Sequence, residues 1–519
     1  MSLKPPSIEL DQEKITGLLQ RARTRLDPED FTLLESLVEV LLFLQLLVKR
    51  RSEVIVKLLR LMFGASTETS QRIFKKSPGP SGPKRPSKGH GRNGVQSYTG
   101  AARMPVAHPD LEPGQRCPDC LRGKLYKMVD PGYWIRCFAA PLVQAVVYEL
   151  EKLRCNLCGK IFTAPLPAEA GLDKYDETVP ATLAVMKYAG GLPFYRMEWL
   201  QRGFGVPLAA STQWEIVYQA AMKLYPVYLK LLHTAAQGEL FYNDDTTIKV
   251  LSLIAEQAGQ DGERKGLFTT AVVARVEGKT IVCFFTGRKH AGENLAGLLG
   301  QRLAELPPPL QMCDAASRNV PKTFLTLLCN CLAHGRRNFV EALAAFPEQC
   351  HFVIETLAQV YHHDEVAKEQ NLSPEERLKF HQQKSAPLMT ELKAWLEARL
   401  EDKSVEPNSG LGKAVRYMLK HWAPLTMFLR VAGAPLDNNL CEQSLKMVVL
   451  HRKNSLFYKT PLGAFVGDLF MTLIYTCRQI GVNPFDYLTT LLRHHQELSK
   501  DPGRWLPWNY KHTVEAQPP

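Results

Sequence analysis

Two groups of residues in this sequence have types and spacings that could do chemistry: paired cysteines, and acids placed along strand-like segments. Cys117 and Cys120 stand in "CPDCLRG" and Cys155 and Cys158 in "CNLCGK", each pair closely followed by a glycine that permits a tight turn. Two Cys-x-x-Cys pairs supply four thiolates, the donor set of a tetrahedral structural Zn2+, although the intervening stretch exceeds that of a usual zinc ribbon. Cys137 reads as a spare core thiol. The second group opens with "FYNDDTTIKVLSL", residues 241 to 253, whose aromatic and β-branched content predicts a strand carrying Asp244 and Asp245 in its middle. Strand alternation puts Asp244 with Tyr242, Thr246, Ile248 and Val250 on a core-directed face, and Asp245 with Asn243, Thr247 and Lys249 on a solvated one. A carboxylate turned towards a core needs a cationic partner such as a metal ion; an exposed strand end is the plainer alternative.

Two further acids lie far downstream. Asp314 ends the short strand "LQMCDA", and Glu442 sits four residues before Lys446 on one face of a helix that begins at "PLDNN". Glu442 and Lys446 can be read as a surface ion pair. Asp244, Asp314 and Glu442 together can also be read as hard oxygen ligands for a pair of Mg2+ ions, which prefer carboxylates, water and phosphate. Cys331 and His334, three apart on a helix, are a weaker candidate pair of ligands, and packing is the favoured account because a structural zinc takes four.

The elements that must position these residues suggest a multidomain α+β chain. With 519 residues the sequence exceeds one ordinary core, and 45% hydrophobic with 22% charged residues is a globular composition. A net charge of +12 favours a polyanionic partner, nucleic acid or an acidic membrane surface. The longest apolar run, residues 37 to 48, is too short to span a bilayer, and no signal peptide is recognisable. Twelve cysteines without an export signal suggest thiols and metal ligands in a reducing cytoplasm.

The organisation expected is a helical, zipper-like region over 1–74, a basic Pro/Gly linker over 75–111 and a zinc-binding segment over 112–165. In the first, Leu37, Leu41, Leu44, Val48, Arg51, Ile55, Leu58 and Met62 form a heptad seam that suits a coiled coil or an amphipathic helix packed on its own domain. A helical region over 166–236 follows, where a helix-turn-helix would have "STQWEIVYQ" as its second helix, capped by Ser211 or Thr212. Over 237–340 three strands, a helix ("HAGENLAGLLGQRLAEL") and a fourth strand match the opening of a ribonuclease-H-like α/β domain. A helical insertion over 341–430, within a stretch from 321 read as almost wholly helical, precedes the return of that domain over 431–480 and a tail over 481–519. Asp437 or Asn438 would cap the helix bearing Glu442.

At this point the chain resembles the insertion-sequence-66 group of bacterial transposases. The resemblance runs through "LLRLMFG", "KGHGRNG", the cysteine pairs, "KYAGGLPFYRMEWLQRGFGV", "FFTGRKHAGENLAGLL", "CLAHGRRNF", "PLDNNLCEQSLKMVVLHRKNSLF" and "FMTLIYTCRQIGVNPFDYLTTLL", in order. It implies a DDE-type, ribonuclease-H-like catalytic domain, with the first catalytic Asp falling on Asp244, the second on Asp314 and the Glu on Glu442. It implies two Mg2+ or Mn2+ ions, terminal inverted repeats and target DNA as partners, a homo-oligomer, small accessory proteins and a bacterial cytoplasmic, nucleoid-associated setting. Lys446, Arg452 and Lys453 are candidates for gripping phosphate, or equally solvated bases at a helix end. The sequence departs from the family pattern in "DAA" after the second Asp, in Gln443 where an Arg is common, and in Leu332 within Cys-x-x-His. These changes keep the three acids and alter their surroundings. A non-catalytic DNA-binding derivative and a hydrolytic nuclease of the same fold are the alternatives.

Overall fold

The computed structural model describes residues 12–32, 34–38, 95–97, 105–106, 109–128, 142–154, 161–171, 173–256, 265–402 and 405–516. The heptad beyond Leu37, the basic stretch 75–94, Cys137, Cys155 and Cys158 lie outside them. The chain divides into two compact units, 76–146 and the remainder. In the smaller unit, residues 114–125 form a tight loop closed by an Arg116–Lys124 bridge and by Leu125 N donating to Gln115 O at 2.8 Å.

The larger unit contains α1 (Gln12–Arg23) and an antiparallel pair, β1 (Lys152–Arg154) and β2 (Ile161–Thr163). Three helices follow: α2 (Thr178–Ala184), continued by a π-helical turn over Val185–Ala189, then α3 (Phe194–Gly203) and α4 (Ala210–Ala235). Neither Ser211 nor Thr212 caps α4. Its N-cap is Ala209, and an acid from the preceding helix takes over the task, Glu198 Oε2 accepting from Ala210 N at 3.0 Å.

A mixed five-stranded sheet comes next: β3 (Leu240–Thr247), β4 (Phe268–Val276), β5 (Lys279–Gly287), β6 (Leu310–Cys313) and β7 (Leu327–Asn330). Its order is β5-β4-β3-β6-β7, with β3, β4 and β5 antiparallel and β6 and β7 parallel to β3. The first strand is shorter than its composition suggests, because the chain leaves the sheet after Thr247, touches Tyr458 through an isolated bridge at Val250 and turns into α5 (Leu251–Glu256). The helix expected over 290–306 is α6 (Ala291–Leu299) and stops at Gly300. Strand β7 falls inside the stretch read as wholly helical: "LLCN" is too short to show a period, and pairing with β6 decides its state.

Helices α7 (Leu332–Ala342), α8 (Pro347–Glu369), α9 (Pro374–Glu401), α10 (Gly410–Lys420) and α11 (Trp422–Leu425) separate β7 from α12 (Asn439–Ser455). The chain closes with α13 (Pro461–Gln479), α14 (Pro484–Arg493), α15 (His495–Lys500) and α16 (Tyr510–Glu515). Helix α13 seals the outer edge of β5. Thr476 Oγ1, Thr472 Oγ1 and Asp468 Oδ2 accept from the backbone N–H groups of Val282, Phe284 and Thr286 at 3.1, 3.1 and 2.6 Å. Four helical residues rise about 6 Å and two strand residues about 6.8 Å, so polar residues four apart keep step with alternate N–H groups. An edge that would otherwise be a template for strand pairing is thereby covered. No helix among the described residues is long and apolar enough to cross a membrane.

Candidate active site

Asp244 lies near the open end of the central strand β3, and Asp314 immediately follows its parallel neighbour β6. The register aligns Tyr242 with Met312, so each acid is two residues beyond an aligned pair, at the same end of the sheet. Glu442 arrives from the first turn of α12. Its position is fixed by Asn438, a fully buried residue whose Nδ2 donates to Asn243 O at 3.2 Å and whose N donates to Cys331 Sγ at 3.3 Å. One residue earlier, Asp437 Oδ1 accepts from Asn439 N at 3.1 Å, while the N-cap of α12 is Asn438, whose side chain makes no capping hydrogen bond. The buried thiol of Cys441, beside Glu442, meets Ala271 O on β4 at 3.4 Å.

These placements give Asp244 an unfavourable environment for a lone anion. Its carboxyl is raised to about 7, first by burial and then by the charges of Asp314, Asp245 and Glu442, against one opposing hydrogen bond from Asp245 N at 2.8 Å. Asp314 Oδ1 accepts from Ala316 N at 3.1 Å and from Asn319 Nδ2, which fixes its direction. Tyr417, from α10, also faces this end: burial foremost, then Asp314, push its hydroxyl up to about 12.

Asp245 is not solvated. Its side chain is 2% exposed and sits at the N-terminus of α6, with His290 Nδ1 at 3.0 Å, Ala291 N at 3.4 Å and Arg318 Nη2 at 3.7 Å. Alternation does put it on the face opposite Asp244, but α6 and the turn Ser317–Asn319 cover that face, which strand periodicity alone does not reveal. The adjacent acids thus have separate surroundings: Asp244 faces the late helix, and Asp245 ties α6 to the strand. No local spacing marks His290, Arg318, Asn319 or Tyr417 as parts of the site, and Asn438, expected as a cap of α12, bonds instead to β3.

Glu442 does not pair with Lys446 among the described residues; its ionic neighbour is His334, with Nδ1 at 3.9 Å from Oε1. Cys331, His334 and Glu442 each offer a ligand atom within 4.8 Å of the other two, a group that does not include Asp244 or Asp314. Burial pushes the Cys331 thiol up to about 11. Arg452 is committed to the protein: its guanidinium donates to Thr246 Oγ1 at 3.3 Å, Thr247 Oγ1 at 2.8 Å and Thr247 O, bracing the end of β3. Lys446 and Lys453 are exposed on the same helix.

In the smaller unit, Cys117 N donates to Gly123 O at 2.8 Å and Leu121 N to Cys117 O at 2.9 Å. The left-handed residue of this knuckle is Leu121, at φ 57°, so the glycine is not what its backbone demands. The Cys120 thiol is lowered by the backbone N–H of Gly123, then by that of Arg122 and by Cys117. N–H groups aimed at sulfur favour the thiolate that a metal requires.

Comparison with known proteins adds a family to this geometry. Residues 174–465 match the family model described as "Transposase IS66 family". The uncharacterized protein y4jD of Sinorhizobium fredii (strain NBRC 101917 / NGR234) is 29% identical over 424 residues, covering 77% of this chain and 79% of that protein. The uncharacterized proteins y4hP and y4qI of the same strain are 27% and 28% identical, covering 70% and 66% of this chain and 68% and 64% of their own lengths.

Proposed function

The chain belongs to the IS66 family of transposases, and from that premise we propose that it cuts the ends of an insertion sequence and joins their 3′ hydroxyls to target DNA, using Asp244, Asp314 and Glu442 as a DDE triad. The observation that carries this reading is the raised carboxyl of Asp244, a buried acid crowded by Asp314 and Glu442 although some 70 and 200 residues separate it from them in sequence. The sheet order, three antiparallel strands followed by two parallel ones, supports a ribonuclease-H-like catalytic domain.

The residues fit the ions that such chemistry uses. Carboxylate oxygens are the donors Mg2+ prefers, and among the described residues Asp244 has like charges on several sides with a single hydrogen-bond donor, an arrangement that a bound cation would offset. When bound, a pair of Mg2+ or Mn2+ ions supplies Lewis acidity at the attacking and leaving oxygens. Asp244, Asp314 and Glu442 would hold the ions through their carboxylate oxygens. Asn319 and the Ala316 N–H keep Asp314 aimed, and Asn438 keeps the first turn of α12 against β3.

In the first step a water oxygen attacks phosphorus at an element end, and breaking the P–O bond leaves a 3′ hydroxyl. In the second, that hydroxyl attacks a target phosphodiester in line, exchanging one P–O bond for another without a covalent protein intermediate. The exposed Lys446 and Lys453 contact phosphate, whereas Arg452 supports the strand that carries Asp244. Cys117 and Cys120 would supply thiolates to a structural Zn2+, a role favoured by the N–H groups around Cys120. Net charge of +12 suits DNA as the partner.

The test uses the full chain, Mg2+ and DNA carrying the element's terminal repeats. Alanine at Asp244, Asp314 or Glu442 should abolish strand transfer and leave end binding intact. Joining by Asp244→Ala would overturn the mechanism, and products cut but never joined by the native protein would mark a hydrolytic nuclease instead.

A further inference from the structure

The cluster of Cys331, His334 and Glu442 is chemically unlike the carboxylate set around Asp244. It brings together a thiol, an imidazole and a carboxylate, each with a ligand atom within 4.8 Å of the others. Cys331 precedes α7 and is fully buried, His334 lies in the first turn of that helix, and Glu442 faces them from the first turn of α12. His334 Nδ1 is a buried atom with no hydrogen-bond partner, 3.9 Å from Glu442 Oε1. Among the described residues this ring nitrogen is left without a partner, which costs free energy unless something satisfies it. The Asn438 N–H that donates to Cys331 Sγ at 3.3 Å would stabilise a thiolate there.

We infer that Cys331, His334 and Glu442 form a second metal site, selective for a borderline-soft divalent ion such as Zn2+, that competes with the Mg2+ site for Glu442. The donor types decide the selectivity. Thiolate and imidazole favour zinc, while Mg2+ takes oxygen ligands almost exclusively. Zn–S, Zn–N and Zn–O bonds near 2.0–2.3 Å put tetrahedral ligand atoms about 3.5 Å apart. Closure from the observed spacing asks for a shift of about an ångström at the ends of side chains. Three protein ligands leave the fourth position to water, and binding releases the Cys331 proton to solvent.

A carboxylate directed at this zinc is withdrawn from the ions at Asp244. Zinc at this position therefore holds the enzyme inactive and magnesium activity requires it empty, a consequence that rests on the transposase reading, whereas occupancy of the site does not.

Occupancy is tested without DNA. The full-length protein is stripped with chelator and dialysed against Zn2+, and bound metal is measured for the native chain, Cys331→Ser and His334→Ala. Each variant should bind one ion fewer than the native chain, with the metal attributable to the paired cysteines retained. 113Cd NMR on the native protein supplies a measurement that no folding defect can confound: a single-thiolate resonance, well upfield of any four-thiolate signal, is expected. Stoichiometry unchanged by both substitutions, or a native spectrum without the single-thiolate resonance, overturns the site. With the site occupied, Zn2+ should block Mg2+-dependent joining by the native chain. Block of joining that persists undiminished in Cys331→Ser overturns the competition for Glu442.

Discussion

Asp244→Asn should stabilise the metal-free protein while removing its chemistry. The carboxyl of Asp244 stands at about 7 in the fold against an ordinary 3.8, because burial and the neighbouring charges of Asp314, Asp245 and Glu442 penalise the anion. A difference of about 3 units corresponds to about 4 kcal/mol at pH 8, where the side chain is ionised in both folded and unfolded chains. Rotation of the side chain and entry of water relieve part of that cost, so about 2–4 kcal/mol is expected to be recovered by a neutral amide. The amide oxygen can still accept from Asp245 N, as the carboxylate does at 2.8 Å. The assay is thermal unfolding at pH 8 in EDTA, where the variant should melt roughly 2–4 °C above the native chain. Adding Mg2+ to about 100 times its dissociation constant should then stabilise the native chain by about 2.7 kcal/mol and leave the variant almost unmoved. A variant less stable than the native chain in EDTA, or one stabilised equally by Mg2+, would refute the idea that uncompensated acids meet at this end of the sheet.

Three other substitutions probe how the site is held. Asn438→Ala removes the donor to Asn243 O and should cut strand transfer at least tenfold, with end binding retained, because α12 loses its attachment to β3 through a buried hydrogen bond worth about 1–3 kcal/mol. Gly292→Ala places a Cβ 2.5 Å from Val320 O and 2.7 Å from Arg318 O, so denaturant titration should show about 1–3 kcal/mol of lost stability as the turn carrying Asn319 is pushed away from α6. Asp468 is fully buried against Thr286 and its carboxyl is raised to about 7 by burial, so the folded state holds an extra proton between about pH 4 and 7. Stability from this group is greatest below pH 4, falls by up to about 4 kcal/mol as pH rises to 7, and is flat above. Asp468→Asn should remove that share of the slope, measured as unfolding free energy against pH. Asp244 contributes a slope of the same sign, whereas His451, lowered to about 3 by burial, contributes the opposite one as pH rises to 6.5, so the measure is the difference between Asp468→Asn and the native chain; a difference that does not vary between about pH 4 and 7 would exclude the buried anion.

The sequence by itself determined the identity and order of most local elements. Strands β4 and β5 follow from β-branched runs around the Glu277–Gly278 turn, and α3 and α4 from helical patterns separated by Gly205 and Pro207. Motif order along the chain likewise pointed to the family whose model covers 174–465. Tertiary structure decided the rest, because it depends on what covers each surface. Asp245 has the local pattern of a solvated strand residue, yet α6, contributed from 46 residues downstream, closes over it. Strand β7 exists because β6 offers it a pairing edge, and β3 stops at Thr247 because the chain there pairs briefly with Tyr458 instead. Most of all, no periodicity connects Glu442 with either His334 or Asp244: Asn438, pinned to Asn243 and Cys331, brings a helix from the far end of the chain to the tips of two parallel strands. Spacing records only what neighbours along the chain can do, whereas a site assembled across 200 residues is fixed by the packing that closes those loops.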